Sequence, residues 1–119
     1  MKTTRQTIVF DAADIETESR FWAEVFEGQV VGDAEWKSVR TAEGVVSVGV
    51  QLAPQHRPSR WPEEPARSHL DLWVADRALA HQEVLAHGAR LVREAEAEDN
   101  FNVYASPAGN IFCLVWPVD

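Results

Sequence analysis

The chain has 119 residues, of which 45% are hydrophobic and 25% are charged, and its 11 basic and 19 acidic side chains give a formal net charge of −8. This length suits about one domain, and no apolar run approaches the ~20 residues that a membrane-spanning helix needs. The negative charge repels phosphate backbones and anionic lipid, so we expect neither nucleic acid nor a membrane as a partner.

The cysteine content and the first residues indicate a cellular compartment. Cys113 is the single cysteine, so no disulfide can form within the chain, which fits a reducing environment. Lys2 and Arg5 are followed only by the short apolar piece "IVF" before Asp11, which is too short for the core of a signal peptide. We therefore expect a cytoplasmic protein that is not exported.

The first half of the chain predicts a strand, a helix and further strands. Asp14 is suited to cap the start of the helix, and Gly28 is placed where a left-handed residue would end it. The apolar spacing within each segment decides between helix and strand. The segments are a strand at "TIVFDA", a helix within "DIETESRFWAEVFEG", and two strands at "EWKSVRT" and "VVSVGVQLA".

The second half repeats this order after a proline-rich connector at residues 54–67. Aligning the two halves places Asp14 over Asp76 and Thr7 over His69, and such a repeat of elements predicts two copies of one unit. We predict a single domain over residues 1–119 with repeats at 5–54 and 67–118. The second repeat comprises a strand at "HLDLWVAD", a helix at "RALAHQEVLAHGA" that stops at Gly88, and strands at "RLVRE", "FNVYAS" and "NIFCLVW".

Strand alternation within "SHLDLWVAD" places His69, Asp71 and Trp73 on one side and the leucines on the other. His69 is then either a hydrogen-bonded pocket histidine or a direct ligand contact. A carboxylate beside an aromatic face suits a ligand cation, so Asp71 is a candidate receptor. The alternative for Asp71 is an ion pair with Arg40 or Arg67.

Five tryptophans are present, and their positions suggest different roles. Trp22 on the first helix and Trp116 on the outer strand face are expected in the core. Trp36, Trp61 and Trp73 are candidates for a pocket wall, with a core position as the alternative for each. Trp61 is the most informative, because it lies in the connector, and loops commonly carry ligand contacts.

Four motifs occur in a characteristic order: "FWAEVFEG", "SHLDLWVAD", "HGA" and "SPAGNIFCLV". This order resembles the vicinal oxygen chelate superfamily, and in particular its glyoxalase-like and bleomycin-resistance-like branch, over nearly the whole chain. The resemblance implies an α+β fold in which two tandem βαβββ units form a curved mixed sheet with helices on the outer face. It also implies a ligand or metal on the concave side, and a homodimer.

Metal-dependent members of the superfamily take ligands from the first and last strand of each unit. The resemblance maps these positions to Thr7, Gln51, His69 and Cys113. Only His69 and Cys113 are good ligands for a divalent metal, and no carboxylate occurs at the four positions. We therefore expect no cofactor, with zinc held by His69 and Cys113 as the alternative. Cys113 is otherwise expected to be a small buried hydrophobic residue.

These observations favour a protein that binds a small molecule over an enzyme. The favoured hypothesis is a metal-free binding module that sequesters a flat neutral or cationic compound. The alternative is a lyase, isomerase or dioxygenase that acts through His69 with a metal or a bound water. A third possibility is a filled cleft in a protein that acts by pairing with a partner. The expected ligand-binding residues are Gln51, Trp61, His69, Asp71 and Trp73, together with Trp36 and Cys113.

Overall fold

The computed structural model describes residues 1–118, without the side chains of Val46 and Ser47, and it divides into two units, Met1–Arg57 and the residues from Pro58 onward. The first unit contains β1 (Ile8–Ala12), α1 (Ile15–Val25), β2 (Gln29–Gly32), β3 (Trp36–Arg40) and β4 (Val46–Leu52). The second contains β5 (Leu70–Trp73), α2 (Arg77–Ala86), β6 (Arg90–Arg93), β7 (Phe101–Ala105) and β8 (Ile111–Val115).

Both units have the same sheet topology. The strand orders are β1-β4-β3-β2 and β5-β8-β7-β6. In each sheet the first and last strands of the unit pair in parallel, and the other neighbours are antiparallel. Two βαβββ units with mixed four-stranded sheets confirm the predicted α+β fold class. Within residues 1–118, neither helix is long and apolar enough to cross a membrane.

The core of the first unit lies between α1 and one face of its sheet. Trp22 on α1 is fully buried and stacks on Phe10 of β1, with ring centroids 4.6 Å apart. The helix begins where the sequence predicted, because the Asp14 side chain accepts a hydrogen bond from the Thr17 backbone N–H at 3.1 Å. Side-chain oxygens at this position satisfy donors that a helix start leaves unpaired.

Two details of the first unit differ from the sequence analysis. The left-handed residue after α1 is Glu27, with φ of 53°, so the left-handed conformation expected at Gly28 was wrong. Gly28 instead allows a close approach of chains, because a Cβ atom there would lie 2.5 Å from the carbonyl oxygen of Arg40. The strand β2 was not predicted as a separate segment. Its four residues are all exposed, so they show no alternation of burial.

The core of the second unit lies between α2 and one face of its sheet. Tyr104 of β7 is fully buried and stacks on Phe112 of β8, with centroids 5.4 Å apart. Its hydroxyl lies 2.7 Å from Nδ1 of His81 on α2. Asp76 caps this helix by accepting from the Leu79 backbone N–H at 3.0 Å, which repeats the capping of α1. The helix thus covers the face of the sheet that carries Tyr104.

The later part of the proline-rich connector belongs to the second unit. Ser59 donates its backbone N–H to the carbonyl of Gly109 at 2.9 Å, which ties the connector to the turn between β7 and β8. Trp61 and Ala66 pack against buried residues on the sheet face opposite α2. Those residues are Val103, Ala105, Ile111, Cys113 and Val115.

Candidate functional site

A cleft of about 600 Å³ lies on the face of the second sheet opposite α2. We call it the second-unit cleft. Its floor is formed by apolar side chains of β7 and β8, its walls are aromatic, and its polar lining comes from β5, from the residue before β5 and from Asn100. The residues that line the cleft include Trp61, His69, Asp71, Trp73, Phe101, Val103, Ile111, Cys113 and Val115.

The polar end of the cleft is built by the parallel pairing of β5 with β8. Asp71 is the register partner of Cys113, so both side chains project into the cleft next to each other. His69 precedes β5, and its Nε2 lies 3.2 Å from Oδ1 of Asp71, with the two side chains 49% and 48% exposed. The described ionic partner of Asp71 is thus His69, and this contact is an ion pair only when the imidazole is protonated. The sequence had suggested Arg40 or Arg67 as the alternative partner.

Cys113 is buried beneath this pair and is only 5% exposed. Burial, the negative charge of Asp71 and a hydrogen bond to Asp71 together raise the pKa of its thiol to about 11. The thiol is therefore protonated at neutral pH and donates to the carboxylate. Because the thiolate is the nucleophilic form of cysteine, Cys113 is not an activated nucleophile in this environment.

The walls of the cleft are aromatic. Trp73 is 67% exposed, so it does not take the core position that was its alternative, even though it pairs with buried Val115. Trp61 enters from the connector, and the Arg93 guanidinium lies 6.0 Å from its ring centroid. Phe101 completes the wall, because it pairs with Val115 from the other side. Large exposed aromatic surface that faces a cleft is typical of ligand contacts.

The other predicted site residues lie in the first unit. Trp36 and Gln51 are register partners on β3 and β4, and they line a separate hollow of about 430 Å³. The Trp36 ring lies over Gly49, where a Cβ atom would come within 2.5 Å of it. Its Nε1 donates to Oγ of Ser38 at 3.0 Å. The predicted residues therefore form two groups, one in each unit.

Thr7 and Phe101 are the residues for which structure and sequence analysis differ most. Thr7 lies just before β1 and is in neither group. Phe101 was not predicted, although it alternates in phase with Val103 along β7. Its place in the cleft depends on the antiparallel register of β7 with β8, which composition and periodicity do not reveal.

Three side chains in the second-unit cleft offer donors that suit a metal. One ligand atom each of His69, Asp71 and Cys113 can be chosen so that all three lie within 4.8 Å of one another. Nitrogen, oxygen and sulfur donors together fit Zn²⁺, whereas Mn²⁺ and Mg²⁺ favour oxygen-rich sites. Asp71 is not one of the four positions implied by the family, so the resemblance did not indicate it as a metal ligand.

A comparison of the sequence with models of protein families identifies the family of this chain. Residues 7–115 match the model of the glyoxalase-like domain, and the chain belongs to this family. Together with the structural similarities below, this match confirms the resemblance to the vicinal oxygen chelate superfamily. No curated protein matches the sequence significantly.

Solved structures of this superfamily share the fold at low sequence identity. A glyoxalase-related enzyme from Fulvimarina pelagi is 20% identical, with a TM-score of 0.70 over 98% of this chain and 89% of that chain. The bleomycin-binding protein from Streptomyces verticillus, complexed with copper(II)-bleomycin, is 16% identical, with a TM-score of 0.65 over 99% of both chains. The fosfomycin resistance protein FosX from Listeria monocytogenes, complexed with Mn(II) and sulfate, is 13% identical, with a TM-score of 0.71 over 99% of this chain and 93% of that chain. These similarities establish the fold, which is shared by binding proteins and enzymes.

Proposed function

We propose that the protein is a small-molecule-binding module whose second-unit cleft holds a flat cationic compound without the help of a metal. The observation that carries this proposal is the half-exposed carboxylate of Asp71 in a cleft whose walls are Trp61, Trp73 and Phe101. A flat ligand would stack on the aromatic walls, and its positive charge would lie near Asp71.

The charge preference follows from the groups around Asp71. Its described ionic partner is His69, which balances the carboxylate only when the imidazole is protonated. The neighbouring Cys113 thiol is neutral. A cation in the cleft would therefore lie near the Asp71 carboxylate and the aromatic walls, and both attract it. A neutral ligand of the same shape would gain only the stacking.

The fold family supplies a supporting precedent. The bleomycin-binding protein from Streptomyces verticillus holds copper(II)-bleomycin on the same fold at 16% identity. Binding of a small molecule is therefore compatible with this architecture. The protonated state of Cys113 also leaves the cleft without an activated nucleophile, which favours binding over covalent catalysis.

A pair of probes with one shape and two charges tests the proposal. N-methylacridinium is a permanent cation, and acridine in mildly alkaline buffer is its neutral counterpart. In buffer that contains a chelator, we expect the cation to bind more tightly by about tenfold, equivalent to ~1.4 kcal/mol. Isothermal titration calorimetry or fluorescence anisotropy would measure both dissociation constants.

Asp71→Asn supplies the decisive variant. It should reduce the affinity for N-methylacridinium to about that for acridine, because the amide keeps the shape and removes the charge. Glu98→Gln is the matched control, since it removes one exposed acidic charge from the chain outside the cleft. Equal affinity of the wild-type protein and Asp71→Asn for the cation would refute the role of Asp71 as its receptor.

A metal-dependent enzyme is the second candidate function, and the cluster of His69, Asp71 and Cys113 favours it. A Zn²⁺ ion in this cluster would act as a Lewis acid and activate a bound water. The two candidates differ in their response to chelation. The binding module should retain its ligand affinity in chelator, whereas the enzyme should lose substrate turnover until Zn²⁺ is restored.

A further inference from the structure

We infer that His69, Asp71 and Cys113 form a Zn²⁺ site contained within the second unit, and that Zn²⁺ and a cationic ligand exclude each other from the second-unit cleft. Two of these ligands, His69 and Cys113, lie at positions implied by the family. The third, Asp71, does not, and Thr7 and Gln51 of the first unit are not part of the proposed site. The competition rests on the proposed function, whereas the metal site does not.

The distances place the three donors close to a zinc geometry. In a tetrahedral zinc site the ligand atoms lie about 3.3–3.6 Å from one another. Nε2 of His69 and Oδ1 of Asp71 are already 3.2 Å apart, and the three ligand atoms fall within 4.8 Å. Zinc binding would therefore require shifts of about 1 Å, a displacement within reach of small side-chain rotations.

The burial of the three residues determines which of them would move. Cys113 is fixed in β8 and is nearly inaccessible, whereas the side chains of His69 and Asp71 are half exposed. The two exposed groups can close on the ion without repacking the core, and the Cys113 thiol would release its proton to solvent as the metal–thiolate bond forms. Three protein ligands would leave one zinc position for a water or another ligand, as in catalytic zinc sites.

Competition follows because zinc and an organic cation use the same carboxylate. Zinc would engage Asp71 and add positive charge at the polar end of the cleft. A flat cation would then lose its counter-ion and meet a like charge. Binding of one ligand must weaken the other by an equal factor, since the two effects are thermodynamically linked.

Cobalt provides a direct test of the metal site, because thiolate–Co²⁺ bonds give a charge-transfer absorption in the near ultraviolet. Cys113 is the single cysteine, so this band can report no other residue of the chain. We expect the band on titration of the tag-free protein with Co²⁺, and its loss when Zn²⁺ displaces Co²⁺. Cys113→Ser should abolish it.

Variants of His69 and Asp71 distinguish a metal site formed by all three residues from metal binding to the Cys113 thiolate alone. His69→Ala and Asp71→Asn should each weaken Co²⁺ binding by about tenfold or more, and Glu98→Gln should leave it unchanged. Circular dichroism would verify that each variant is folded. A band that His69→Ala and Asp71→Asn leave unchanged, or no band at saturating Co²⁺, would overturn the site.

The competition is measured separately with the acridinium probe. Zn²⁺ at ten times its own dissociation constant should raise the apparent dissociation constant of N-methylacridinium by about tenfold. Unchanged affinity in the presence of bound Zn²⁺ would refute mutual exclusion. If N-methylacridinium does not bind at all, the proposed function fails while the cobalt spectrum still decides the metal site.

Discussion

Substitutions on the two faces of the second sheet should affect different properties: ligand affinity on the cleft face and folding stability on the face that packs against α2. The variants Trp73→Ala and Leu114→Ala compare the two faces most directly. Trp73 is 67% exposed, whereas Leu114 is 2% exposed. A fully buried tryptophan removes ~150–250 Å² from water, so the buried third of Trp73 corresponds to roughly 50–80 Å². At about 25 cal/mol per Å², Trp73→Ala should lower the unfolding free energy by at most ~1–2 kcal/mol. Because a compact unfolded chain already buries part of this area, the expected loss is about 1 kcal/mol.

Leu114→Ala should cost about 2–5 kcal/mol of unfolding free energy, because it leaves a cavity in the core. Its effect on ligand binding should be negligible where the protein is folded. Trp73→Ala should instead weaken N-methylacridinium by ~1–2 kcal/mol, which is about 5–30-fold in the dissociation constant. Urea denaturation and anisotropy titration measure the two quantities. If Trp73→Ala costs as much stability as Leu114→Ala and leaves affinity unchanged, the assignment of the ligand to this face is wrong.

Further predictions concern the buried polar groups and assembly. Tyr104→Phe should lower the unfolding free energy by ~1–2 kcal/mol in urea denaturation, because His81 and Asn102 lose a hydrogen-bond partner; an unchanged midpoint would contradict the contribution of this network. The pKa of Cys113 is raised from 9.0 to about 11 in the folded protein, so the unfolded chain loses the thiol proton at a lower pH than the folded chain does. The unfolding free energy of the metal-free protein should therefore fall as pH rises from about 9 to about 11. Thiolate absorbance with a midpoint near 9 would contradict this expectation. Light scattering should show a homodimer of twice 13.3 kDa, and a monomer mass throughout the micromolar range would refute it.

Much of the fold could be predicted because local signals agree with the tertiary structure. Asp14 and Asp76 both cap helices by accepting from a backbone N–H three residues later, and this chemistry depends on neighbours in the sequence. The second helix was predicted to stop at Gly88, which follows α2 and has a φ of 117°. Gly28 was misassigned because its requirement comes from Arg40 on another strand, which no local pattern encodes.

Strand alternation predicts which residues of one strand share a face, and only this part of the candidate site could be predicted from the sequence. Alternation places His69, Asp71 and Trp73 on one side of the strand, and all three line the second-unit cleft. It could not show that Asp71 lies beside Cys113, because that neighbourhood depends on the parallel register of β5 and β8. The same limit applies to Phe101, which joins the cleft through the register of β7 with β8.

The most direct test of the proposed cleft is a nuclear magnetic resonance titration of the five tryptophan side chains with N-methylacridinium in chelator. Each indole N–H gives one signal, and single tryptophan-to-phenylalanine variants would assign them. We predict that the signals of Trp61 and Trp73, which line the cleft, shift as the probe is added. The signal of Trp22, which is buried against Phe10, and that of Trp116, which packs under Arg77, should not move. Shifts at Trp22 or Trp116 with none at Trp61 and Trp73 would contradict the account.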